Sequence, residues 1–200
     1  MRRFSKYTLW ICFCGCLMLA ACTSAKPTIA TLTENGLTQT THLFIRNDWD
    51  GLSDLAPINA HYDLRPSAEG FVGEATYEAG GYSSFPKLEV VEIAIPQAVM
   101  SEFLTTLAQI PLEAIEYEPT VVNDDYEYIS FAFQTAAGEI EVRSYSLTPQ
   151  NIPWEVNIGE DSYVISSGAP SEAFDKLRPY LQEEIQTAQI EALQAELYGE

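Results

Sequence analysis

Positive charge is scarce in this chain. Ten Lys and Arg stand against 29 Asp and Glu in 200 residues, a formal net charge of −19. That excludes nucleic-acid binding as a class, because phosphate contacts need a positive face. Cysteine is confined to Cys12, Cys14, Cys16 and Cys22. Everything beyond residue 22 is therefore without disulfides, thiolate metal sites and thiol nucleophiles. Histidine occurs twice, as His42 and His61, which leaves few imidazoles for general-base or metal chemistry. There is no Gly-x-Ser-x-Gly elbow and no His-Glu-x-x-His. Gly80-Gly81 have no basic neighbour with which to cradle a phosphate and read as a turn. The hydrophobic fraction, 46%, is that of an ordinary globular chain, so the acidity does not signal disorder.

The N-terminus is the most informative stretch. Arg2, Arg3 and Lys6 precede an uncharged run of 14 residues, Thr8 to Ala21, that closes on Leu19-Ala20-Ala21-Cys22. A basic start, a short apolar run and small residues before a cut make an export signal, and a spanning helix needs about 20 residues. Leu19, Ala20, Ala21 and Cys22 resemble the lipobox of bacterial lipoprotein precursors at all four positions. The resemblance covers the signal and Cys22 alone. It implies a signal peptide over 1–21, cleavage before Cys22, a diacylglyceryl group on the Cys22 thiol and acylation of the new amine. Two or three acyl chains, at about 0.8 kcal/mol per buried methylene, make an effectively permanent membrane anchor. Thr23 follows Cys22, so the Asp that retains such proteins in the inner membrane of enteric bacteria is absent, and the choice of membrane stays open. Inside the signal, Cys12, Cys14 and Cys16 are apolar filler rather than metal ligands. The exported chain of 179 residues keeps seven basic side chains against 29 acidic ones, a net charge of −22.

Residues 22–41 hold the lipidated Cys and seven threonines, with Pro27 and Gly36 and no aromatic. They read as a tether that lifts an acidic body off an anionic headgroup layer. Polybasic docking to the membrane is excluded.

Beyond the tether, period-two alternation dominates. Ile58, Ala60, Tyr62 and Leu64 alternate with polar neighbours, and Phe71, Gly73, Ala75 and Tyr77 do the same after a turn at Pro66 to Gly70. Leu88 to Ile95 predicts a third strand, closed by Pro96. Hairpins are expected over Tyr126–Gln134 with Glu139–Leu147, and over Trp154–Ile158 with Ser162–Ser166. Met100, Phe103, Leu104, Leu107 and Ile110 recur at helical spacing ahead of Pro111. A second helix is expected from Pro170-Ser171, with Glu172 in its first turn and Pro179 breaking it. The fold class is α+β: antiparallel hairpins in one or two sheets, with two helices packed on one side. A single domain over 42–181 is followed by an acidic helical tail, 182–200. Strands followed by a helix occur twice, over about 58–109 and 126–181, which is the pattern of a duplicated half, although the two strings do not align. The layout also looks like small domains of undefined role in bacterial envelope proteins, a likeness that supplies no functional residues.

Chemistry is sparse. Acidic pairs at Asp124-Asp125 and Glu160-Asp161 suit solvated turns. Arg46 to Asp54 contains Asp-x-Asp-Gly, but an EF-hand placed on Gly51 would put Arg46 and Pro57 at its essential ligand positions. A looser calcium site from Asp48, Asp50 and Asp54 is the one metal candidate. Aromatic residues on strand edges and turns, Trp49, Tyr82, Tyr126, Tyr128 and Trp154, are the recognition candidates, with the two Trp as exposed anchors. No catalytic set and no cofactor motif emerge. The favoured expectation is a non-enzymatic, lipid-anchored module that binds or scaffolds another envelope protein. The alternatives are an envelope hydrolase or sugar-active enzyme using acidic residues, and a carrier of lipid or a small ligand.

Overall fold

A computed structural model describes residues 25–33, 36–50, 58–79, 91–115, 126–146 and 153–181. The expected signal peptide and the acidic tail lie outside these residues.

The alternating segments become nine strands: β1 (Thr40–Asp50), β2 (Ile58–Ser67), β3 (Gly70–Ala79), β4 (Val91–Pro96), β5 (Glu113–Ala114), β6 (Tyr126–Thr135), β7 (Gly138–Ser146), β8 (Trp154–Ile158) and β9 (Asp161–Ile165). They form one sheet in the order β4-β3-β2-β1-β6-β7-β8-β9-β5. Every neighbouring pair is antiparallel. Three helices accompany it among the described residues: α1 (Ile29–Leu32), α2 (Gln97–Ala108) and α3 (Ala169–Asp175), followed by a 3-10 turn at Arg178–Tyr180. Among the described residues no helix is long and apolar enough to cross a membrane.

The expected repeat of strands and helix is sharpened by β1. Two four-stranded meanders, β1–β4 and β6–β9, are each followed by a helix, and their first strands lie side by side, antiparallel, at the centre of the sheet. The tight turns Ser67–Gly70 and Thr135–Gly138 close one end of the sheet. β1 ends and β6 begins at the other, where Asp50 faces Tyr126.

Paired residues of adjacent strands share a face. One row runs Ile93, Gly73, Leu64, Leu43, Phe133, Ile140 and Ile158; the next runs Ala75, Tyr62, Ile45, Phe131, Val142 and Val156. Most of these side chains are buried, so the apolar half of each alternating strand makes one inner face. Gly73 is required in its row, because a Cβ there would stand 1.8 Å from the backbone oxygen of Asp63 on β2. Phe131 is the hub. Phe103 of α2 meets it edge-on at 5.5 Å, Phe174 of α3 lies at 5.5 Å, and Trp154 of β8 stacks on it at 5.9 Å with 5° between the planes. Each such pair adds about 0.5–1.5 kcal/mol beyond the area it buries.

Pro111 confines α2 as expected. The second helix starts at Ala169 and stops at Asp175, earlier than the position of Pro179 suggested; that proline sits inside the 3-10 turn. The Ser171 hydroxyl in the first turn of α3 is fully buried and has no hydrogen-bond partner among the described residues. An orphaned buried hydroxyl costs about 1–3 kcal/mol. Ser171→Ala is therefore expected to raise the thermal midpoint by about 2–4 °C per kcal/mol recovered, read by a calorimetric scan; a lower midpoint would mean that the hydroxyl is paired.

The tether expectation is corrected. Residues 25–33 and 36–41 are part of the folded body. Thr28 and Thr31 form a reciprocal capping box around α1, with the Thr31 amide donating to Thr28 Oγ1 at 3.2 Å and the Thr28 amide to Thr31 Oγ1 at 2.8 Å. Ile29 and Leu37 are fully buried in the core. The Leu112 amide donates to the Pro27 carbonyl at 2.7 Å. Lys26 Nζ donates to Glu113 at 2.6 Å, and Ser166 Oγ to the same carboxylate at 2.9 Å. These hydrogen bonds, from Lys26 first and then Ser166, together with the lysine's charge, hold the Glu113 carboxyl below the usual range. The clasp therefore contributes at neutral pH and is lost only as the pH falls through that lowered value. Two apolar residues eight positions apart carry no periodicity, and threonines that cap a short helix look in sequence like threonines of a linker.

Candidate functional site

The second face of the sheet holds the polar half of each strand. One of its rows runs Thr76, His61, Arg46, Ser130, Arg143 and Glu155; the next runs Glu74, Asp63, Phe44, Ala132, Glu141 and Asn157. Both histidines of the chain stand here, on the two adjacent strands β1 and β2. Each imidazole is bonded diagonally across the ladder to a carboxylate: His61 Nε2 to Asp48 at 2.6 Å, and His42 Nε2 to Asp63 at 2.7 Å. Arg46 approaches the second oxygen of Asp48 at 3.4 Å, and Arg65 approaches Asp63 at 3.7 Å. The Phe44 ring lies between the pairs, 6.1 Å from that of His61. Further along, Arg143 on β7 donates two hydrogen bonds through Nη2 and one through Nε to Glu155 on β8, at 3.0–3.2 Å.

The depth of these groups decides what they do. The side chains of Asp48, Glu155 and His61 keep 18%, 15% and 23% of their surface, whereas Arg65 keeps 70%. The pairs are half-sunk between neighbours and reachable from solvent. Partly exposed ion pairs are worth about 0–1 kcal/mol each, so their main consequence is order: long polar side chains are held in a fixed pattern across several strands.

The candidates chosen from sequence part company in space. Asp48 is spoken for by His61 and Arg46. Asp50 is the last residue of β1, opposite Tyr126, and its side chain lies outside the described residues, as does Asp54. Among the described residues no group of three His, Cys, Asp or Glu is placed to hold a metal ion. Trp154 is corrected outright: it is fully buried against Phe131, because it opens β8 on the inner row between Ser144 and Ile165. Tyr128 lies on β6 opposite Asp48 and is half-buried. Trp49 and Tyr126 are placed only by register, opposite Glu127 and Asp50, and Tyr82 falls outside the described residues.

The His–Asp pairs were missed because His42 and Asp63 are 21 positions apart and become neighbours only when β1 pairs with β2. Alternation does place each of the four on a polar strand face, and that was the available signal. Chemically the pairs are two oriented imidazoles. Among the described residues each is hydrogen-bonded to a carboxylate and neither to a hydroxyl. Two grooves mark the surface elsewhere. One, of about 660 Å³, runs along α2 from Ser101 to Pro111 with Ser167 and Ala169. The other, of about 490 Å³, lies at the β2–β3 turn beside Val72 and Ile95. Both are open to solvent. No protein-family model, no curated protein and no solved structure matches this chain.

Proposed function

We propose that the chain is a bacterial envelope lipoprotein, anchored through acyl chains on Cys22, that serves as a docking module for another envelope protein. In this reading α2 and α3 both cover the inner face of the sheet. The polar face is then left as a broad, pre-ordered platform. The observation that carries the docking function is the ordering of His42, Arg46, Asp48, His61, Asp63 and Arg143 on that face by cross-strand bonds and by the Arg46–Asp48 pair within β1. Side chains already held in one arrangement lose less conformational freedom when a partner arrives. Mixed charge in fixed positions also gives specificity, by rejecting partners whose charges fall out of step. The support for the anchor is the lipobox-like Leu19-Ala20-Ala21-Cys22 behind a basic and apolar leader.

Each half has its own test. Cys22→Ala is expected to leave an unprocessed, unlipidated precursor, read by intact mass and by partition into detergent; an unchanged lipidated species would overturn the anchor. A photo-crosslinking residue in place of Arg65, in the full-length protein in its own membranes, is expected to give a discrete adduct. The same residue in place of Glu102 on α2 is expected not to share that adduct. Failure of the Arg65 position to capture any protein would overturn docking through this face.

A further inference from the structure

The docking of residues 25–33 changes what an anchor on Cys22 does to the body of the protein. Thr23, Ser24 and Ala25 alone separate Cys22 from Lys26, whose ammonium is bonded to Glu113 at 2.6 Å. Four residues of extended chain reach at most about 14 Å. From Lys26 onward the chain is held by the Pro27–Leu112 backbone bond, the capping box of α1 and the buried Ile29. Little slack remains between the lipid and the fold.

Charge is distributed to match. The 26 residues from Cys22 to Asn47 contain a single acid, Glu34, while the 153 residues from Asp48 onward contain 28. The part of the chain next to the anchor is thus its least acidic part, and an anionic headgroup layer repels it least. Ala25 to Thr33 carries Lys26 and no acid. Among the described residues two large hydrophobic side chains stand well out into solvent, Leu32 at 40% and Val72 at 44% exposure. Leu32 belongs to α1, ten positions along the chain from Cys22, whereas Val72 lies on the polar face of β3, opposite Arg65.

We infer that the α1 segment, residues 25–33 with Leu32 at its exposed side, is a membrane-contact surface that seats the domain on the lipid headgroups in one orientation. This rests on the lipid-anchor reading above and adds to it the side that the body turns to the bilayer. A short leash on a docked segment gives a seated domain; a long leash on a free segment gives one that tumbles. The partner is the bilayer surface itself, recognised through an apolar side chain on a segment that has no acid of its own and whose neighbouring carboxylate, Glu113, is paired with Lys26.

Leu32→Cys and Val72→Cys place single labels at two exposed sites of the lipidated full chain. The signal cysteines leave with the signal and the Cys22 thiol is occupied by lipid, so the introduced thiol alone reacts with a fluorescent maleimide. In proteoliposomes of phosphatidylethanolamine and phosphatidylglycerol bearing a headgroup nitroxide, the label at position 32 is expected to be quenched several-fold more than that at position 72. Equal quenching, or stronger quenching at position 72, on protein shown by intact mass to carry lipid would overturn the seated orientation and leave the anchor standing. Absence of lipid on Cys22 would overturn both.

Discussion

A chain beginning at residue 42 is expected to lose cooperative folding, whereas one beginning at residue 25 is expected to keep it. Read from sequence, the shorter chain would be the natural soluble fragment, because it removes only the threonine-rich stretch. In the structure it removes Ile29 and Leu37, both fully buried. It also removes the first two residues of β1, which pairs with the central strand β6. Large-to-small losses in a core cost about 2–5 kcal/mol each. Two such losses together approach the whole stability of a typical domain, about 5–15 kcal/mol. Thermal melts followed by circular dichroism separate the cases. The 25–200 chain should show a sharp transition, and the 42–200 chain a broad one or none. Closely similar melting points for the two would restore the linker reading of 25–41.

The second large effect is expected at Phe131. Its ring sits on β6, the central strand of the sheet, and meets Phe103, Phe174 and Trp154, which come from two helices and another strand. Removing it leaves a cavity bounded by three large rings that cannot all close on the same space. Phe131→Ala is expected to cost about 3–5 kcal/mol. Phe131→Leu, which refills much of the volume, is expected to cost far less. Urea titrations that return the same midpoint for Phe131→Ala and the wild-type chain would show that the ring cluster is not where the two helices are held. The comparison with Leu separates lost packing from a general intolerance of change at that position.

These two expectations mark where sequence and structure diverge. The alternation of Tyr62 with His61 and Asp63, and of Phe131 and Phe133 with their neighbours, specified strands and faces correctly, because a two-residue period is a local property of the chain. The helix over Met100, Phe103, Leu104 and Leu107 was legible for the same reason. β1 pairs with the central strand β6, and nothing local in its sequence distinguishes such an interior strand from an edge one. Trp154 was taken for an exposed anchor because a strand's first residue resembles the end of a loop until the register with Ser144 and Ile165 is known. The calcium candidate Asp48 is instead a partner of His61 and Arg46, a pairing that depends on β2 arriving beside β1.

Ten basic residues against 29 acidic ones, four cysteines confined to the first 22 positions and a short apolar leader are one-dimensional facts. By themselves they determine the excluded chemistry and the expectation of an export signal with a lipid on Cys22. The alternating period adds an antiparallel, mainly β architecture. Tertiary structure alone decided the rest: one nine-stranded sheet, two meanders joined through β1 and β6, the His–Asp pairs on its polar face, and the docking of residues 25–33 and 36–41. The physical reason is common to all four. Each depends on which strand lies beside which, and the hydrophobic and hydrogen-bonding terms that select neighbours act between residues tens of positions apart.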